Sequence, residues 1–120
     1  MALNLTWVKC QNDNWCEFET VNLDHSHFDN MEGVYIIWHG GPNAATVRVG
    51  QGIIRDRIAA HRQDAAILAY RPHLLYVTWA SVPASQRDGV ERYLADTLNP
   101  KIGQRFPNVY PIAVNLPWNQ

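Results

Sequence analysis

The sequence predicts an α+β domain in which a small, mostly antiparallel sheet is flanked by helices. Three stretches carry that expectation. Val34 to Trp38 and Ala44 to Val49 are apolar runs on either side of a turn cluster, Gly40-Gly41-Pro42-Asn43, and together read as a β-hairpin. Gly50-Gln51-Gly52 ends the second run, and from Ile53 the apolar spacing changes from alternation to helical periodicity. Leu74 to Val82, rich in aromatic and β-branched residues, is a third strong strand closed by Pro83.

Taken in order, Leu3 to Cys10 and Trp15 to Val21 read as two strands around the polar turn Gln11-Asn12-Asp13-Asn14. In the second, Cys16, Phe18 and Thr20 share one face, with Glu17 and Glu19 on the other. Asn22 to Glu32 is polar and irregular. If the loop of the central hairpin is centred between Gly41 and Pro42, Tyr35 lies opposite Arg48. The helix after Gly52 places Ile54, Ile58 and Ala65 on a core-facing stripe, Arg57 and His61 along its edge one turn apart, and Arg55 towards solvent. Ala65 to Tyr70 either extends that helix or forms a separate turn before Pro72. A second helix runs from about Ser85 to Leu98, with Asn99-Pro100 ending it and Gly89 weakening its first turn. Its buried face is Val90, Leu94, Thr97 and Leu98, with Glu91 at the border. Val109 to Leu116 reads as a last edge strand, so the expected order is β-β-β-β-α-β-α-β.

A length of 120 residues suits one domain, and 47% hydrophobic with 18% charged residues is a globular composition. No apolar run is long enough for a membrane span, and no basic-then-apolar leader opens the chain, so the expectation is a soluble cytoplasmic protein. The net charge of −1 is unevenly spread: residues 1–32 carry −5 and residues 33–120 carry +4. Eight of the ten basic residues are arginines, the side chain suited to bidentate phosphate contacts, although a solvated surface would look the same. With two cysteines the chain is no disulfide scaffold. Cys10, Cys16, His25 and His27 are zinc-ligand types, but their spacing is not that of a structural zinc site, and the cysteines are expected to pack as small apolar residues.

Tyr35, Arg48, Arg57, His61 and Glu91 are the candidate functional residues. Each falls at an apolar boundary, where a polar group is partly desolvated and is either paired or functional. Ordinary structural roles compete with function: an ion pair between Glu91 and Arg57, a hydrogen-bonded core histidine at His61, and a packing aromatic at Tyr35.

The ordered set resembles the GIY-YIG endonuclease family. Gly33-Val34-Tyr35 is similar to the first signature, and Arg48-Val49-Gly50 stands at the second, followed by the usual polar residue as Gln51. Arg57 with His61 is similar to the catalytic arginine and auxiliary residue of the family's first helix, and Glu91 to its metal-binding glutamate. Leu98-Asn99-Pro100 looks like the end of that helix. The pattern departs at Arg48, which replaces a tyrosine, at Gly103, where an asparagine is expected, and in a Gly50-to-Arg57 spacing one residue short. The likeness covers residues 33–103, leaving residues 1–32 as an accessory hairpin and 104–120 as a tail.

The resemblance implies a GIY-YIG-like fold with an extra N-terminal β-hairpin. It also implies a divalent-metal-dependent endonuclease that hydrolyses phosphodiester bonds in DNA or structured nucleic acid, with one Mg²⁺ or Mn²⁺ at Glu91. Arg57 would stabilise developing charge, and Tyr35 would act as base or orient water. Arg48 would favour the Tyr35 phenolate and add a phosphate contact. A same-fold protein that binds nucleic acid without cutting it is the first rival. The second is an interaction module whose residues 1–32 dock on a partner, on a second copy, or on the chain's own basic face.

Overall fold

The computed structural model describes residues 3–103 and 106–118. Parts of the expected tail, Gln104, Arg105, Asn119 and Gln120, lie outside the described residues. The strands are β1 (Cys16–Glu17), β2 (Glu32–His39), β3 (Ala45–Ile53) and β4 (Leu75–Ser81); the α-helices are α1 (Ile54–His61), α2 (Ala65–Leu68) and α3 (Ala84–Leu98). One sheet runs in the order β1-β4-β2-β3, and each of its pairings is antiparallel. The expected α+β class with an antiparallel sheet is therefore present.

Near-continuous burial of β2 follows from its central place, which puts a layer on each face. On one face Tyr35, Ile37, Val77 and Trp79 pack with Ile54 and Ile58 of α1, Ile67 of α2, and Phe18 and Phe28 from the N-terminal segment. On the other, Val34, Ile36, Trp38 and Val49 pack with Val90, Leu94 and Ala95 of α3 and with Trp7 and Val114. Alternation along β2 thus assigns Tyr35 to the α1 side and its neighbours to the α3 side.

The expected Tyr35–Arg48 pair is corrected by two residues: Tyr35 lies opposite Gly50, and Arg48 opposite Ile37. Two causes add. The loop is centred on Pro42, and a bulge between Ile37 and Trp38 on the β2 side leaves Val47 of β3 as an extra residue between Thr46 and Arg48. Because the slip is even, Arg48 keeps the same face as Tyr35.

The N-terminal hairpin does not form. Leu3 to Cys10 holds no strand of the sheet, and the second expected strand shrinks to β1 beside β4. The segment is instead held by scattered bonds: Val8 N–H to Trp79 O, Thr78 Oγ1 to Val8 O, and the Trp7 indole to Asn115 O. Cys10 and Cys16 are joined in a disulfide, which corrects their reading as packed thiols and removes both as thiolate ligands. His27 accepts from the Trp79 indole at 3.0 Å, and no group of three metal-ligating side chains occurs among the described residues.

Helix α1 stops at His61, so Ala65 begins the separate helix α2 and is exposed, while Ile67 takes the third core position. Asp64 caps α2 by accepting from Ala66 N–H. Helix α3 matches its expected span, ended by Asn99 in the left-handed region at φ 47°. Its buried face is Gly89, Val90, Leu94 and Ala95 rather than one including Thr97, which is exposed. Gly89 does not fray the helix. A Cβ there would overlap Ile112, whose N–H bonds Gly89 O at 2.9 Å, so the glycine is the seat of the tail. Among its described residues the tail forms no strand, only an isolated parallel bridge from Val114 to Leu3. Among the described residues no helix is long and apolar enough to cross a membrane.

Candidate functional site along the edge of β3

The site builds up where α1 and α3, from opposite faces of the sheet, meet at β3. Gly50 comes first. A Cβ at Gly50 would collide with the Tyr35 ring and hydroxyl, so the glycine lets the ring lie flat across β3 and reach α1. There the Tyr35 hydroxyl meets His61 Nε2 at 2.5 Å, and both residues are buried. The Arg48 guanidinium faces the same hydroxyl and favours its ionised form. A guanidinium offers only donors, so the phenol turns its oxygen lone pairs, not its proton, towards Arg48. We therefore assign the phenol proton to the bond with His61 Nε2, leaving the imidazole's own proton on Nδ1.

The electrostatics follow from burial and from two arginines. Burial pushes the His61 imidazole down to about 4, helped by the charges of Arg48 and Arg57, so it is neutral at pH 7. Burial pushes the Tyr35 phenol up; the Arg48 guanidinium and the charge of Arg57 oppose that rise without cancelling it. Arg48 therefore favours the phenolate, as expected of its charge, but burial outweighs it and the phenol stays protonated at neutral pH.

Glu91 faces the same place from α3. Its Oε1 accepts from Gln51 Nε2 at 2.8 Å, and that nitrogen also donates to Asp88 Oδ1 at 2.7 Å. Burial raises the Glu91 carboxyl above the usual carboxylate range; the Gln51 bond lowers it, Asp88 raises it, and Arg48 lowers it. Arg48 thus acts on Tyr35, His61 and Glu91 together. No ion pair joins Glu91 to Arg57, so the structural explanation offered for those two does not hold.

The remaining described arginines are occupied. Arg55, expected in solvent, is half-buried and donates to Leu23 O, His25 O and Asp29. Arg62 donates to Phe18 O and Val21 O. Arg71 pairs with Glu19, Arg87 with Glu32, and Arg92 with Asp96. Among the described residues, Arg48 and Arg57 are the arginines with neither a carboxylate nor a carbonyl partner. Arg48 Nε is buried and has no hydrogen-bond partner among them. Arg57 is exposed on α1 beside Gly52.

All five expected residues therefore gather at one edge. Gln51 and Asp88 complete the group. The sequence marks Gln51 as the polar residue after the second signature, but not as a site residue. Asp88 was missed, although its place three residues before Glu91 on a helix puts the two carboxylates on one face. Gly103 comes near Arg48 because Lys101 and Ile102 donate to Thr46 O and Val47 O along β3. Asn99, the nearest asparagine before Gly103, forms the exposed left-handed end of α3.

No protein-family model, no curated protein and no solved structure matches the chain.

Proposed function

We propose that the chain is a divalent-metal-dependent endonuclease of the GIY-YIG type, hydrolysing phosphodiester bonds in DNA or structured nucleic acid. The observation that carries this reading is the pair of uncompensated arginines. Arg48 and Arg57 act on one buried Tyr35–His61 pair, beside a half-buried carboxylate, while the other described arginines are taken up. Unneutralised guanidinium charge next to low-dielectric walls favours an anion, and a phosphate accepts the forked donors of arginine. The likeness to the family in Gly33 to Tyr35, Gly50, Arg57, His61 and Glu91 supports the same reading, as does a central β2 paired with β3 and β4.

The donor set fits Mg²⁺ or Mn²⁺. Mg²⁺ keeps several waters and takes one or two carboxylates plus substrate phosphate, and Glu91 with Asp88 nearby offers that rather than a closed cage. Glu91 would hold the ion, which when bound supplies charge neutralisation at the phosphodiester. Arg57 and Arg48 bind the non-bridging oxygens and counter the charge that develops on them. Tyr35 orients the attacking water, takes its proton, and passes its own to His61 Nε2. The imidazole is a weak base in the free protein, in part because Arg48 and Arg57 face it. A bound phosphate offsets those charges and raises its basicity when the proton must be accepted.

Arg48 in place of the family's second tyrosine favours one other reading, a protein that binds nucleic acid without cutting it. Purified protein with Mg²⁺ or Mn²⁺ and branched DNA separates the two: cleavage lost in Arg57→Ala supports the nuclease, and binding without cleavage supports the rival. The acidic N-terminal segment is engaged by the chain's own arginines at Glu19, Asp29 and Glu32, which favours docking on its own basic face over a partner or a second copy. The disulfide favours an oxidising compartment over the expected cytoplasm, where thiols are kept reduced.

A further inference from the structure

We propose that Lys101 holds a second phosphate of the bound strand, so that the nucleic-acid backbone runs along the edge of β3 from Glu91 towards Lys101. The inference rests on the phosphodiester reading and assigns the path that the substrate takes across the same site.

The cations of the chain divide by whether its own groups compensate them. Lys9 pairs with Asp13 and lies over the Trp15 ring. The described arginines other than Arg48 and Arg57 hold carboxylates or carbonyl oxygens. Lys101 is exposed, and its ammonium has no ion pair among the described residues. One exposed lysine is ordinary. What is not ordinary is that the uncompensated cations, Arg48, Arg57 and Lys101, share one edge of the sheet.

Backbone contacts fix that placement. β3 is the last strand in the sheet order, so its outer side carries no further strand. Lys101 N–H bonds Thr46 O at 3.1 Å and Ile102 N–H bonds Val47 O at 2.8 Å, which ties Lys101 to that side just before Arg48. Gly103 follows at φ 105°, with Arg48 Nη1 3.9 Å from where its Cβ would stand. Glu91 joins the edge at Gln51, and Arg57 Cδ lies 3.4 Å from where a Cβ of Gly52 would stand. The order along β3 is therefore Lys101, Arg48, Glu91, Arg57.

A single phosphate is served by Arg48 and Arg57. A cation further along needs a further anion, and a polynucleotide supplies one at regular spacing. Thr46 and Gln51 are roughly 17 Å apart at ~3.3 Å per residue. A B-form strand carries a phosphate every ~3.4 Å along its axis, so Lys101 meets one within about five nucleotides of the scissile bond. Lysine is a point charge on a flexible stem, suited to gripping a phosphate rather than to shaping its chemistry.

The test is salt-titrated binding of the full chain to a labelled DNA duplex in EDTA, with steady-state cleavage in Mn²⁺ beside it. Lys101→Ala should lower the slope of log binding constant against log salt by about 1. It should weaken binding about eightfold at about 0.1 M salt. Lys101→Arg should keep both at the wild-type level. In cleavage, Lys101→Ala should raise KM with kcat unchanged, because a remote phosphate is held equally in the ground and transition states. Lys9→Ala, which removes a cation that is already paired, should leave the slope unchanged. A wild-type slope and KM in Lys101→Ala, with the slope lowered in Arg57→Ala, overturns this path and leaves the phosphodiester reading standing. An equal drop in Lys9→Ala also overturns it, since any surface cation would then serve. If DNA does not bind, or binds with a slope that neither Arg57→Ala nor Lys101→Ala changes, the phosphodiester reading fails and this inference fails with it.

Discussion

The hydroxyl of Tyr35 and Nε2 of His61 stand 2.5 Å apart, joining the central strand to the end of α1 across the glycine at position 50. Neither group is charged at neutral pH, because burial holds the imidazole at about 4 and pushes the phenol up. The pair is therefore a proton path at rest.

That neutrality has a pH signature. The folded-state value of His61 lies below its unfolded value of about 6.5, so the unfolded chain binds the extra proton first as pH falls. Stability should be unaffected by this group above about pH 6.5 and decline towards about pH 4, by an amount on the order of 3 kcal/mol. Urea denaturation across that range should show the decline, and His61→Gln should remove much of it. An imidazole resonance titrating near 6.5 in the folded protein contradicts the account.

Gly50→Ala should be more damaging than an ordinary glycine-to-alanine change in a strand. The added methyl occupies the Tyr35 ring position, so the ring must move or the strands must part. A cost of about 1–3 kcal/mol is expected, with loss of the Tyr35–His61 bond. Thermal denaturation measures the first, and the His61 resonance the second.

Along α1 and its C-cap residue Arg62 the arginines should divide by role. Arg55→Ala and Arg62→Ala break bonds to the Phe18–Asp29 segment and should lower stability by about 1–3 kcal/mol. Arg57→Ala should leave stability nearly unchanged and reduce the slope of log binding constant against log salt by about 1. Denaturation and salt-titrated DNA binding, run on all three variants, check the division.

Much of this was readable in the chain because the determinants were local. Turn residues and alternation marked the β2–β3 hairpin, and the period change at Ile53 marked α1. The aromatic, β-branched run and the Asn99-Pro100 stop marked β4 and α3. What failed depended on partners far away in sequence. Leu3 to Cys10 looks like a strand because its apolar residues alternate, yet Trp7 and Leu5 are tied to Asn115 rather than to a neighbouring strand. Arg55 looked solvent-facing because the carbonyls that bind it come from a loop with no pattern of its own. The Tyr35 register failed on a loop centred at Pro42 and on one bulge residue, Val47. The candidate site survived that slip because an even displacement preserves the face.

The disulfide should also matter to stability. Cys10→Ser with Cys16→Ser should cost about 2 kcal/mol, the entropy of closing a short loop in the unfolded chain. Thiol titration of the unreduced wild-type protein should find no free cysteine. A variant pair as stable as the wild type would contradict a structural role for the bridge.

Conversion of supercoiled plasmid to nicked circle tests the central claim most directly. Wild-type protein should nick in Mg²⁺ or Mn²⁺ and stop in EDTA, and a folded Glu91→Ala variant should not nick under any of these conditions. Equal nicking by Glu91→Ala, or none by folded wild-type protein with either metal on plasmid and branched DNA, would contradict the assignment of a metal-assisted phosphodiesterase to this edge of β3.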